Sequence, residues 1–208
     1  MAELATRGHR SLPVELPCED PSAGALEYAA VVVEALKDED DDIVLVGHSL
    51  GGLTVPLVAQ SRPVRSLVYV TPNLPKPGRS VIQALTEEPV KATQVAALAP
   101  GDGPLTRLSP EQAIPLLYNR CPAAVAQWAA SKLRPQALTP LTETSPLERF
   151  PDVPSTVILG TEDRLKDVAP MQDITRRRLG VEPIVVTSDH SPLLSMPGEL
   201  ANLLARCL

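Results

Sequence analysis

Five consecutive residues, Gly47-His48-Ser49-Leu50-Gly51, set a serine hydroxyl among small neighbours directly after the apolar run Ile43 to Val46. Read between a strand and a helix, G-x-S-x-G is the pattern of a sharp turn that thrusts a nucleophilic hydroxyl out of a sheet. Side chains at positions 47, 51 and 52 would collide in so tight a turn, which is the physical reason for glycine there. A serine hydroxyl attacks poorly at neutral pH and needs an adjacent base, itself oriented by a carboxylate. A glycine-rich turn with an incidental serine is the plainer reading of the same residues.

The partners that such a serine needs occur later in the chain. An apolar run, Ser155 to Gly160, leads into Thr161-Glu162-Asp163, and a second, Pro183 to Thr187, leads into Ser188-Asp189-His190. Both sets fall where open parallel sheets hold their ligands, at the C-terminal ends of strands. Only three histidines are present; His9 lies in an opening extended run and His48 inside the turn, so His190 is the base by elimination and position, against the plainer reading of a surface-loop histidine. Asp163 is the candidate acid, with Glu162, Asp167 and Asp189 open as alternatives or as solvated neighbours.

The elements that must position these residues alternate. His9 to Pro17 reads as a weak extended run, and Ser22 to Lys37 as a helix with Ser22 as candidate N-cap. Ile43 to Val46 reads as a strand buried on both faces, Leu50 to Gln60 as a helix despite Pro56, and Val64 to Val70 as the next strand. Strand 155–160, helix 169–179, strand 183–187 and helix 199–208 complete an α/β pattern with a parallel sheet. The acidic run Asp38 to Asp42 is a solvated loop between a helix and a strand. The chain holds 23 prolines among 208 residues, about twice the ordinary share, many of them between Thr71 and Pro154. Amphipathic helices at 79–85, 110–118 and 123–133 make residues 73–150 a helical lid inserted into one domain spanning 1–208.

Composition narrows the function classes. Charged residues form 21% and apolar ones 44%, as in soluble globular chains. A net charge of −6 supplies no basic field for nucleic acid or anionic membrane, and five aromatic residues, Tyr28, Tyr69, Tyr118, Trp128 and Phe150, offer little for base stacking. Cys18, Cys121 and Cys207 are far apart and in no metal-ligand spacing, so neither a disulfide framework, a metal site nor a cofactor is expected. The opening residues lack the apolar core of a signal peptide, and no apolar run is long enough to span a membrane; the expectation is a cytoplasmic protein.

Four stretches together resemble the α/β-hydrolase superfamily, in particular small bacterial hydrolases related to plant methylesterases and hydroxynitrile lyases. They are VGHSLGG, LVYVTPNLPKPG, ILGTEDR and SDHSPLLSMPGELANLL, and they cover most of the chain. The resemblance implies an α/β-hydrolase fold, an N-terminally shortened one, with helices on both faces of a mostly parallel sheet. It implies Ser49 as nucleophile, Asp163 as orienting acid and His190 as general base and acid, in the chain order of that family. It also makes the backbone N–H of Leu50 one oxyanion donor. The lyases of that branch carry a lysine directly after the histidine; here Ser191 stands there, which favours esterase chemistry on a small-molecule ester or related acyl substrate. Thr71 and Trp128 are open between lining the pocket and ordinary packing.

The same resemblance exposes a departure. Family members open with paired strands and a further strand ending in a glycine-rich turn that supplies the second oxyanion donor, and the present sequence holds no counterpart to them. An unfilled slot requires the sheet to close up, to pair with another chain or to misfold, with the first strand as the suspect element; only if the shortened form is the true protein is pairing of two copies as a homodimer through the exposed edge expected. A shortened, hydrolase-like protein that binds a small molecule or partner with little turnover is the reading from another class.

Overall fold

The computed structural model describes residues 1–88 and 103–207. In chain order these form α1 (Ala2–Ala5), α2 (Ala25–Ala35), β1 (Val44–His48), α3 (Gly51–Ser61), β2 (Ser66–Val70) and α4 (Val81–Glu87). Then follow β3 (Leu105–Thr106), α5 (Pro110–Leu117), α6 (Ala123–Ser131), β4 (Gln136–Ala137) and α7 (Thr139–Thr142). The last five are β5 (Ser155–Gly160), α8 (Val168–Leu179), β6 (Ile184–Val186), α9 (Pro192–Ser195) and α10 (Pro197–Ala205), the closing helix expected at 199–208 but begun two residues earlier. Counted from β5, that series comprises two strands and three helices.

Four strands form one parallel sheet in the order β1-β2-β5-β6. The period of two sends Leu67 and Tyr69 of β2 to one face and Val68 and Val70 to the other, and all four are buried. The first face packs with α2, α3 and α8 through Ala29, Val55, Val58, Met171 and Ile174. The second is covered by α10 through Leu200 and Leu204, with Leu4 of α1 behind them. Helices therefore lie on both faces, as the α/β reading required. Because His48 is in register with Val70, Val70 with Ile158, and Gly160 with Val186, the loops after all four strands open on one sheet edge.

The segment between β2 and β5 is helical in α4, α5, α6 and α7, with a short antiparallel β3–β4 pair. Ser80 and Ser109 cap α4 and α5, each hydroxyl accepting from the backbone N–H three residues on. This segment has its own small core of Ala113, Tyr118, Ala126, Ala129 and Ala130, in which alanine lets α5 and α6 approach closely. Residues 89–102 of the expected 73–150 insertion, and Leu208 of the expected last helix, lie outside the described residues.

Three local expectations are corrected. Ser22 does not cap α2: its N–H and hydroxyl both bond Asp20 Oδ1, closing an Asx turn, and the helix starts at Gly24, whose N–H donates to Glu27. Residues 9–17 form no strand, since Pro13 and Pro17 donate nothing and, among the described residues, no neighbouring strand offers partners. β1 is not buried on both faces: Val46 is 47% exposed, because β1 is the outermost strand of the described sheet.

Candidate active site

The turn from β1 into α3 holds Ser49 at φ +50°, in the left-handed region that non-glycine residues seldom occupy. Its N–H donates to the Val70 carbonyl at 3.0 Å, and its own carbonyl accepts from Asn73 N–H at 2.9 Å and Gly52 N–H at 3.1 Å. These bonds pin the strained residue between two strand ends. A Cβ on Gly47 would lie 2.7 Å from the Gly51 carbonyl oxygen and one on Gly52 2.5 Å from that of Asn73, so these two glycines are sterically required, whereas a Cβ on Gly51 meets nothing within 4 Å and the collision expected there does not occur. Leu50 is the N-cap of α3, where backbone N–H groups lack intrahelical partners and the helix dipole is positive.

From β5 and β6 come the other two residues. His190 Nε2 is 2.8 Å from Ser49 Oγ, and His190 Nδ1 is 2.8 Å from Asp163 Oδ2. Asp163 and His190 are each 2% exposed. An ionised carboxylate can only accept, so the contact fixes the proton on Nδ1 and leaves Nε2 bare toward the serine hydroxyl. Asp163 Oδ1 accepts from the N–H groups of Leu165 at 2.7 Å and Lys166 at 3.1 Å. Burial pushes the Asp163 carboxyl up. The hydrogen bond and charge of His190, the Leu165 N–H and the Lys166 ammonium outweigh burial, and the net shift is downward.

Of the carboxylates open as alternatives, none faces His190 Nδ1. Glu162 pairs with Arg120, Asp167 precedes α8, and Asp189, fully buried, turns away into bonds with Arg120 N–H, Ser191 N–H and Ser195 Oγ. Ser191 is itself buried, its N–H taken up by Asp189.

Two residues hold the His190 backbone, His48, to which sequence reasoning gave no role, and Thr71, which it left open between pocket lining and ordinary packing. His48 Nε2 donates to the His190 carbonyl oxygen at 2.7 Å, and Thr71 Oγ1 donates to the same oxygen at 2.9 Å. Thr71 is 1% exposed and sits at φ +42°, an outlier for a β-branched residue, and its N–H donates to Ile158 across the sheet. Among the described residues it is packed rather than lining a cleft, while Trp128 is 57% exposed on α6. Behind Asp163, buried Lys166 donates from Nζ to Asn73 Oδ1 at 2.6 Å, and burial pulls its ammonium down to about 8. No local pattern announces these contacts; each joins residues far apart in sequence.

A narrow cleft of about 50 Å³ opens between α4, α7 and α8, with Asn73, Lys166 and Arg178 in its wall, but Ser49, Asp163 and His190 are not among its lining residues. The site is assigned on hydrogen-bond geometry.

Residues 1–203 match the family model described as the α/β hydrolase family. The chain belongs to the α/β hydrolase family. Methylesterase 7 of Arabidopsis thaliana is 27% identical over 230 residues, covering 98% of this chain and 87% of that protein. The pyrethroid hydrolase of Sphingobium wenxiniae is 27% identical over 224 residues, covering 97% and 79%. Among solved structures, an extracellular α/β-hydrolase from a Paenibacillus species superposes with a TM-score of 0.80 at 21% identity, covering 99% of this chain and 90% of that one. A methylesterase from Arabidopsis does so with a TM-score of 0.76 at 20% identity, covering 99% and 91%. At these identities the superpositions establish the fold. Among the described residues no helix of this α/β hydrolase is long and apolar enough to cross a membrane.

Proposed function

We propose that this α/β hydrolase cleaves small-molecule carboxylic esters, or related acyl compounds, through an acyl-enzyme on Ser49. His190 Nε2 takes the hydroxyl proton as Ser49 Oγ attacks the acyl carbonyl, and Asp163 steadies the imidazolium that forms. The oxyanion receives the N–H of Leu50 at the amino end of α3. His190 then passes its proton to the departing alcohol oxygen, draws a proton from water to release the acid, and returns it to Ser49. The observation that carries this reading is the unbroken line Ser49 Oγ, His190 Nε2, His190 Nδ1, Asp163 Oδ2, with 2.8 Å at both contacts. Relatives named methylesterase and pyrethroid hydrolase support an ester as substrate. Three cysteines in no disulfide or metal pattern support a reducing, cytoplasmic setting.

The test is reaction with a fluorophosphonate, followed by peptide mapping, with Ser49→Ala as control. An adduct on Ser49, absent from the variant, together with Ser49-dependent hydrolysis of aryl esters, is the expected result. Ester hydrolysis unchanged by Ser49→Ala overturns the reading. A folded, unlabelled protein supports binding without turnover, the second reading, for which the cleft beside Lys166 is the observation in favour.

A further inference from the structure

Asp189 stands directly before His190, is 0% exposed, and touches neither Ser49 Oγ nor the His190 ring nitrogens. Its two oxygens divide their partners between two parts of the molecule. Oδ1 accepts from Ser191 N–H at 3.0 Å and from Ser195 Oγ at 2.7 Å, both on the loop and short helix that carry the histidine. Oδ2 accepts from Arg120 N–H at 3.0 Å and from the Cys121 thiol at 3.7 Å, both in the lid corner between α5 and α6. The same corner also reaches the loop of Asp163: Asn119 Nδ2 donates to the Glu162 carbonyl at 3.2 Å, the Arg120 guanidinium pairs with the Glu162 carboxylate, and Arg164 donates to the Pro115 carbonyl at 3.3 Å.

A buried carboxylate is tolerated only while hydrogen-bond donors surround it. Half of the donors to Asp189 come from the lid, so lifting the lid corner must admit water to Oδ2 or displace the carboxylate. Displacing it pulls on Ser191 N–H and hence on the adjacent His190. We infer that Asp189 is a positioning residue that clasps the lid corner to the histidine loop, making lid docking and alignment of His190 on Ser49 one event. This inference rests on the reading of Ser49, His190 and Asp163 given above. It adds that a substrate which seats the lid also sets the base, so that acyl groups reaching the lid gain in kcat and not only in KM.

Asp189→Asn replaces one acceptor oxygen with a donor and must leave at least one backbone N–H facing an N–H. The variant is tested beside the milder Cys121→Ala and Ser195→Ala in the full chain, with the melting curve as check of folding. Three measurements are made: hydrogen exchange of peptides covering 115–122, the imidazole tautomer of His190 by 15N NMR, and the rate of Ser49 phosphonylation. The expected result for Asp189→Asn is faster exchange in the lid corner, loss of the single Nδ1–H tautomer, and phosphonylation slowed about tenfold, the scale of a modest misplacement of a reacting group. Cys121→Ala and Ser195→Ala are expected to give smaller losses that fall short of multiplying in the double variant, since both act through one carboxylate. A folded Asp189→Asn protein with faster lid exchange but an unchanged His190 signal overturns the clasp, as does unchanged exchange. If the wild-type serine is not phosphonylated at all, the hydrolase reading fails, while exchange and the tautomer signal still decide the clasp.

Discussion

His48 Nε2 lies 2.7 Å from the carbonyl oxygen of His190, and the two rings stand 5.2 Å apart between centroids. A carbonyl only accepts, so His48 holds a proton on Nε2, and the lowered pKa keeps the ring neutral near pH 7. Burial first, then the nearby charge of His190, bring its pKa down to about 4 from an ordinary 6.5.

Acid stability follows from that neutrality. With the folded value below the unfolded one, the unfolded chain binds the extra proton between pH 6.5 and 4, so the full stability present above pH 6.5 is lost progressively down to about pH 4. The loss is on the order of 3 kcal/mol. His48→Gln keeps a donor toward the His190 carbonyl but does not titrate. Urea unfolding at pH 4 to 7 is expected to show a steep decline for the natural protein and a flatter one for the variant. The depressed carboxyl of Asp163 acts in the same direction but at lower pH, its stabilisation being present above the ordinary carboxylate value and lost below it.

Asp163→Asn separates orientation from charge. Asp163 Oδ1 is held by Leu165 and Lys166 N–H groups, so the asparagine oxygen takes that place and its NH2 faces His190 Nδ1. The imidazole must then carry its proton on Nε2, pointing at Ser49 with nothing left to accept. A fall in kcat of about a thousandfold to ten-thousandfold with little change in fold is expected. Steady-state kinetics beside a melting curve check both halves.

The glycine at the end of β5 is a steric necessity. A Cβ on Gly160 would lie 2.5 Å from the Ser188 carbonyl oxygen and 2.8 Å from that of Asp189, both backbone atoms of the loop carrying His190. Gly160→Ala is expected to cost about 1–3 kcal/mol of stability and to lower activity in the remaining folded protein. Gly51→Ala, where a Cβ meets nothing within 4 Å, is the matched control and is expected to be near neutral. Denaturant midpoints and ester turnover of the two variants test the contrast.

What sequence made legible, and what it hid, follows the range of the forces involved. Ser155–Gly160 was readable because an unbroken apolar run beside Gly160 is a local property, and the turn around Ser49 because its glycines answer a local crowding. Ser49, Asp163 and His190 were readable as three strand-end residues, since parallel strands in register must bring their C-terminal loops together. Thr71 was opaque: nothing in a β-branched residue suggests a positive φ, which is held here by bonds to Ile158 and His190. Asp189 was legible only as a rival to Asp163, because its partners Arg120 and Cys121 lie some seventy residues away in the lid. Val46 read as core because the run Ile43 to Val46 is apolar; its exposure depends on which strands stand beside it.

That exposure yields the last prediction. Among the described residues no strand pairs with the outer side of β1, so a row of backbone N–H and C=O groups faces outward beside the exposed Val46 side chain. Such an edge is a template for another strand, and a second copy offers the matching one. In a two-fold antiparallel pairing of β1 with its copy, Val46, at the centre of Val44–His48, meets Val46 of the other chain. Concentration-dependent dimerisation in sedimentation experiments is therefore expected. Val46→Lys sets two ammonium groups directly across the junction, where like charges are destabilising, and is expected to shift the protein to monomer at low salt. A natural protein that stays monomeric at high concentration, or a variant that dimerises as well as the natural chain, removes β1 as the joining edge.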